Sequence, residues 1–345
     1  MNAAVAADGA PAFGVDIGGT KVLGVAVDAT DAIVSEVRVA TPHVSLLGPS
    51  DPGSGDMVAA VAEVVARLRR SVGWTGGSAS PAVGVGVPGM CDRDGVLRFA
   101  PNLPSANGTP VRELLERALP GTPVTVENDA ALAALAEHEL GAARGTAHAL
   151  VVTLGTGIGG GLITEGRVFA GAHGFAGEIG HMVVDPSGPL CPCGRRGCWE
   201  RFASGGGLGR LAREAAHAGR LSEVVAVAGG DAEGVRGEHV TVAALAGDPG
   251  AVSVIEELGW WVALGLTNLV AILDPDRIVV GGGLVAAGEI LLGPTRRAFA
   301  ELVEGADHRP AVEIVLAELG DRAGAVGGAL VTRRTVPGGG APGAR

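Results

Sequence analysis

The sequence predicts an α/β protein of two lobes around a central cleft, and three observations carry that expectation. Residues 13–27 read as strand, glycine turn, strand, through Asp16-Ile-Gly-Gly-Thr-Lys21. The same pattern restarts at 149–164, around Leu154-Gly-Thr-Gly-Ile-Gly-Gly-Gly161. Later, the strand at 277–280 ends in Gly281-Gly282-Gly283, echoing an earlier strand that ends at Pro88-Gly89. A weak internal duplication of this kind, in a chain of 345 residues, suits two α/β halves better than one core.

The elements follow in order. Residues 32–40 form a third strand, and 41–55 a loop rich in Pro, Gly, Ser and Asp. Residues 57–70 have the apolar spacing of an amphipathic helix, with Asp56 as its N-cap. Residues 82–87 read as a buried strand, 111–119 as a helix, and 124–126 as a strand. Residues 129–140 are strong helix formers. A strand at 149–154 leads into a glycine-rich turn at 155–161 and a returning strand at 162–164. Residues 229–239 read as a surface loop and 258–273 as a buried core helix, shorter than a bilayer span. Residues 1–11 lack the basic and apolar regions of a signal peptide; they and 337–345 read as flexible tails. The domain expectation is a first lobe over 12–128, joined by a helix at 324–334, and a second over 129–323.

Composition narrows the function. A formal net charge of −11 argues against nucleic acid, since phosphate attraction needs a basic face. No membrane anchor is visible. Lys21 is the only lysine in the chain, and it lies in the first glycine turn. Three of the four cysteines, Cys191, Cys193 and Cys198, crowd into eight residues, which is spacing for a metal rather than a disulfide framework. That usage fits a reducing, cytoplasmic compartment.

Four motifs carry chemistry. A Gly-Gly turn lets backbone N–H groups approach phosphate oxygens without interference from a Cβ. In the first turn Thr20 adds a hydroxyl, Lys21 a positive charge, and Asp16 a carboxylate placed for a hydrated Mg²⁺; the alternative is a tight hairpin with no ligand. The second turn offers the same chemistry beside Thr156. It lacks a Walker A ending, and no βαβ unit follows to make it a dinucleotide fingerprint. Two such turns opening two halves suit a nucleotide's phosphates. Third, Glu127-Asn128-Asp129 joins a strand to a helix; Asp129 is either an N-cap or a general base for a substrate hydroxyl. Fourth, His181, Cys191, Cys193 and Cys198 make a Cys₃His set, which fills a tetrahedral Zn²⁺ site with no open position and is therefore structural. Glu178 and Glu200 flank these ligands, either solvated or accepting hydrogen bonds from sugar hydroxyls.

At these residues, over roughly 13–330, the chain resembles the ROK family of repressors, open reading frames and kinases. The cysteine motif with Glu178-Ile-Gly-His181 upstream is the most specific part of the match. The resemblance implies an actin-like ATPase (ribonuclease H-like) fold, with the last helix packing back on the first lobe. It implies a first phosphate segment at Asp16, Gly18, Gly19, Thr20 and Lys21, and a second at Thr153, Gly155, Thr156 and Gly157. It places adenosine at Gly281, Gly282 and Gly283, and a hexose at Asn102, Asn128, Asp129, Glu178, His181 and Glu200, with Asp129 the base. His181, Cys191, Cys193 and Cys198 match the zinc ligands of a loop over 181–200.

The implied activity is ATP- and Mg²⁺-dependent phosphorylation of a hexose, with glucose favoured over N-acetylglucosamine, N-acetylmannosamine or fructose. Polyphosphate is an alternative donor. The family also implies a homodimer or homotetramer. A sugar-responsive repressor is the rival of a different class, but about a dozen residues precede the first strand, too few for a three-helix DNA-binding unit. A structural actin-like protein is a third reading, opposed by the cysteine loop and the sugar-matching residues.

Overall fold

The computed structural model describes residues 11–42, 54–74, 80–101, 103 and 106–334. The chain forms two compact units: Met1–Ala147 with Gly161–Gly177 and Glu318–Arg345, and His148–Gly160 with Glu178–Ala317. The helix beginning at Asp129, where the sequence reading opens its second lobe, belongs to the first unit.

The first unit opens with β1 (Ala12–Ile17), β2 (Lys21–Val27) and β3 (Ile33–Ala40), an antiparallel meander. There follow α1 (Ser54–Ser71), β4 (Val83–Val87), three short strands β5 (Met90–Cys91), β6 (Val96–Phe99) and β7 (Thr109–Pro110), α2 (Val111–Ala118), β8 (Val124–Asn128) and α3 (Asp129–Leu140). The main sheet runs β3-β2-β1-β4-β8, with β1, β4 and β8 parallel. Phe13, Val15, Val83, Val85 and Val126 bury one face with Val61, Val64, Val65 and Leu68 of α1. Leu23, Val25 and Val27 bury the other face with α3 and the closing helix.

The chain then enters the second unit with β9 (Ala149–Leu154) and β10 (Ile158–Thr164). The far half of β10 belongs to the first unit and pairs antiparallel with β11 (Arg167–Val168). Back in the second unit come α4 (Glu200–Ala203), α5 (Gly205–His217), α6 (Ser222–Val227), α7 (Gly237–Leu245), α8 (Pro249–Leu273), β12 (Arg277–Gly281), α9 (Glu289–Leu302) and β13 (Glu313–Leu316). β9, β12 and β13 are parallel neighbours. The chain ends in the first unit with α10 (Ala323–Arg334).

α10 is built for close approach. A Cβ on Gly14 of β1 would lie 1.7 Å from the Ala325 carbonyl, and one on Gly84 of β4 1.9 Å from that of Gly328. A Cβ on Gly327 would lie 1.9 Å from the Leu132 carbonyl of α3. The glycines of Ala323-Gly-Ala-Val-Gly-Gly-Ala-Leu330 therefore let the helix backbone rest on strand backbone.

Several boundaries differ from expectation. α1 starts at Ser54, so Asp56 lies in its first turn rather than capping it, and most of the 41–55 loop falls outside the described residues. Both tails do so as well, apart from Pro11. The 229–239 loop ends at Arg236, because α7 begins at Gly237. Residues 158–161 are strand rather than turn. α8 runs 25 residues, nine more at its N-terminus than predicted, capped by the Asp248 side chain accepting from Ala251 N–H. It is thus longer than expected, and by length and composition it could cross a membrane. Its buried face (Val254, Leu258, Val262, Leu266, Leu269) packs within the second unit, and a little over half of its apolar window is buried.

Candidate active site

In the first unit, the C-terminal ends of three parallel strands lie side by side: Asp16 pairs in register with Gly86, and Val87 with Asn128. Ligands of open α/β sheets gather at this edge. Asn128 is the N-cap of α3. Its side-chain oxygen accepts from Ala131 N–H at 2.9 Å, and its amide donates to the Gly89 carbonyl at 3.1 Å. Capping thus falls to Asn128, which removes that alternative for Asp129. Among the described residues the Asp129 carboxylate bonds only locally, accepting from Ala130 N–H at 2.8 Å.

Asp16 and Asp129 flank Gly86. A Cβ built there would lie 3.2 Å from Asp16 Oδ1 and 3.3 Å from Asp129 Cα. Gly324 of α10 stands on another side of Asp16, where a Cβ would lie 2.8 Å from the carboxylate carbon. Burial first, and the Asp129 charge after it, push the Asp16 carboxyl up to about 7 against the opposing pull of Lys21. Burial likewise pushes Asp129 up to about 6, against the pull of its backbone hydrogen bonds. A carboxylate in this range can take and release a proton near neutral pH. Oxygen-only donors such as Asp16 also suit a hard cation like Mg²⁺.

Gly18 N–H donates to the Lys21 carbonyl at 2.9 Å and so closes the first glycine turn. Thr41 braces it, with Oγ1 donating to the Gly18 carbonyl at 2.7 Å. The amide of Gly18 is spent, whereas those of Gly19 and Thr20 find no protein acceptor among the described residues, and both residues are exposed. Lys21 Nζ contacts Asp321 Oδ2, and the Arg38 guanidinium donates to that same oxygen at 2.8 Å. Asp321 was not among the expected residues. Three hundred positions separate it from Lys21, and no local pattern marks it.

In the second unit, Gly281 pairs in register with Thr153, which sets the 281–283 glycines beside the end of β9. Gly282 has φ 86°, and a Cβ there would lie 2.5 Å from the Leu154 carbonyl. Gly155 N–H donates to the Gly157 carbonyl at 2.9 Å, closing the second turn; the Thr156 and Gly157 amides have no protein acceptor among the described residues. The start of α5 backs this turn, with Gly205 N–H donating to the Gly155 carbonyl at 2.8 Å. Glu200 Oε2 accepts from Ile158 N–H at 3.0 Å and fills the space a Cβ at Gly157 would need.

His181, Cys191, Cys193 and Cys198 come together, with their ligand atoms all within 4.8 Å of one another. The Cys193 and Cys198 sulfurs are 3.5 Å apart, and Cys191 Sγ lies 3.7 Å from His181 Nδ1. A tetrahedral Zn²⁺ with bonds near 2.3 Å sets its donors about 3.8 Å apart, so the set fits. His181 Nε2 faces Glu178 Oε2 at 3.9 Å, the side on which a carboxylate orients a ligating imidazole. The loop is seated through Trp199, which is fully buried, donates Nε1–H to the Trp261 carbonyl at 2.7 Å, and lies against Gly265 of α8. That anchor aims Glu200, the next residue. Asn102 lies outside the described residues.

Two α/β units, each with a glycine turn at a strand edge, define the class: the actin-like ATPase fold, as in the solved structures this chain resembles. The ROK family model matches residues 12–335, and the chain belongs to the ROK family. It is 38% identical over 328 residues to a glucokinase of Streptomyces coelicolor, covering 94% of this chain and 98% of that one. Among solved structures it resembles a ROK family glucokinase from Streptomyces griseus in complex with glucose and AMPPNP (TM-score 0.81, 38% identity, 94% and 99% of the two chains). It also resembles the ROK hexokinase of Thermus thermophilus (TM-score 0.71, 36% identity, 93% and 97%).

Proposed function

We propose that this chain is an ATP-dependent hexokinase whose acceptor is glucose and whose base is Asp129. The observation that carries the reading is Asp129 itself: a carboxylate at the first turn of α3, relieved of capping by Asn128 and set beside Asp16 at the strand ends. The likeness to glucokinases over nearly the whole chain supports the choice of sugar.

In this reading Asp129 accepts the proton of the sugar's 6-hydroxyl while the O6–Pγ bond forms and the bond from Pγ to the β-phosphate oxygen breaks. The proton stays on Asp129 Oδ until product leaves, and ADP carries off the electron pair. The Gly19, Thr20, Thr156 and Gly157 amides hold phosphate oxygens, and Gly281, Gly282 and Gly283 hold adenosine. Asp16 would hold Mg²⁺, which neutralises phosphate charge. Asn128, Glu178, His181 and Glu200, with Asn102, take the sugar's other hydroxyls.

His181, Cys191, Cys193 and Cys198 would hold a structural Zn²⁺ that fixes the loop bearing Glu200. Four cysteines without a disulfide suit a reducing cytoplasm, and a homodimer or homotetramer is the assembly we propose. An ADP-release assay over glucose, N-acetylglucosamine, N-acetylmannosamine and fructose, with ATP or polyphosphate as donor, tests the reading. Fastest turnover on glucose with ATP is expected. No turnover on any hexose overturns it.

A further inference from the structure

Among the described residues Glu137 is the one carboxylate that is buried outright, fully enclosed on α3 with no part in the chemistry above. It accepts three backbone N–H groups. Oε2 takes Ala142 at 2.8 Å and Glu318 at 3.2 Å, and Oε1 takes Leu319 at 2.8 Å. Gly141 makes room for it, since a Cβ there would sit 2.1 Å from Oε2. A buried carboxylate satisfied this fully is a strong, directional anchor.

What it anchors is the segment by which the chain re-enters the first unit. Glu318 and Leu319 lead straight into the 3₁₀ turn Gly320–Arg322 and then α10. That turn carries Asp321, whose Oδ2 lies between Lys21 and Arg38. Two cations so placed would repel one another without the shared anion. Arg322 holds the turn's other side, pairing with Glu36 at 2.8 Å, and Glu36 also pairs with Arg38. Two residues on, Gly324 abuts the Asp16 carboxylate.

We infer that Glu137 is a positioning residue for the phosphate end of the site. Its carboxylate seats the returning backbone so that Asp321 holds Lys21 and Arg38 together and Gly324 braces Asp16. This deepens the kinase reading and rests on its assignment of the first glycine turn to nucleotide phosphate.

The test is calorimetric binding of AMPPNP·Mg²⁺, and separately of glucose, to the full chain and to Glu137→Gln, Asp321→Asn, Asp321→Glu and the Glu137→Gln/Asp321→Asn double variant. Each of the first two should weaken AMPPNP about tenfold. Glucose affinity should stay within about twofold, since that ligand meets neither Lys21 nor Arg38. Asp321→Glu should recover most of the loss, and the double variant should be no weaker than the worse single one, because both act through the same two cations. A purely structural Glu137 would lower the binding stoichiometry and leave both dissociation constants alone, and that result overturns the inference. Unchanged or tighter AMPPNP binding by Asp321→Asn, which is exposed and should fold, overturns it as well, making Asp321 a bystander or a competitor for Lys21. Wild-type protein that binds no AMPPNP would remove the kinase reading and this inference together, whereas wild-type binding matched by all variants removes only the inference.

Discussion

Glu200 accepts the Ile158 backbone N–H at 3.0 Å, which ties the cysteine loop to the second glycine turn. In the proposed kinase one carboxylate therefore serves two places: its Oε2 braces the turn, and its remaining acceptor capacity serves a sugar hydroxyl. The two duties separate by substitution. Glu200→Gln keeps a carbonyl oxygen for Ile158 and loses the charge. It should raise the glucose KM about tenfold and leave the ATP KM near its original value. Glu200→Ala releases the turn too and should raise both. Steady-state kinetics on the two variants check this, and equal effects on both KM values for Glu200→Gln would separate Glu200 from the sugar.

Asp129→Asn should fold, bind glucose and lose turnover by about 10²–10⁴-fold, the range general-base catalysis supplies. A coupled assay with a parallel glucose-binding measurement checks it, and near-normal turnover would remove Asp129 from its role. The same variant should be more stable at pH 7. Burial raises the folded-state pKa from 3.8 to about 6, so between those values the native protein holds a proton that the unfolded chain has released. Stability therefore falls as pH rises through that window, and Asn lacks the slope. With partial solvent access the gain is roughly 1–2 kcal/mol, readable in thermal melts.

The pH dependence of rate has the opposite sense. The base must be ionised, so kcat/KM should climb as pH rises through about 6 and then level off. A profile with no acid limb between pH 5 and 7 would count against a buried carboxylate as the base.

The cysteine loop should carry one zinc per chain, with Cys193→Ser losing it. Because Trp199 and Glu200 follow the ligands directly, metal loss should loosen the second glycine turn and raise the KM for ATP as well as for glucose. Metal analysis of freshly purified protein, followed by kinetics on the variant, tests both halves of the claim.

Gly14→Ala is the stability prediction. The new Cβ would fall 1.7 Å from the Ala325 carbonyl and force α10 away from β1. About 2–3 kcal/mol should be lost, visible as a lower denaturation midpoint, while Gly19→Ala, where nothing lies within 4 Å, should cost little.

Much was legible from the chain alone because it is encoded locally. Strong helix formers set α3 at Asp129–Leu140, a short continuous apolar run before a glycine turn set β9 at Ala149–Leu154, and the His/Cys spacing marked the ligand set. Local pattern misled where glycine serves packing rather than turning. Gly161 reads as loop but is strand, because Ala130 and Ala134 of α3 press against it and leave no room for a Cβ.

Tertiary structure alone decided the rest. Asn128 rather than Asp129 caps α3, Glu200 braces a turn some forty residues away, and Glu137 and Asp321, unremarkable charges in their own segments, meet the returning backbone and the only lysine. Composition and periodicity report what a residue does to its neighbours in sequence. A carboxylate's role depends on which N–H groups or cations the fold delivers to it, and those come from strands and turns up to three hundred residues distant.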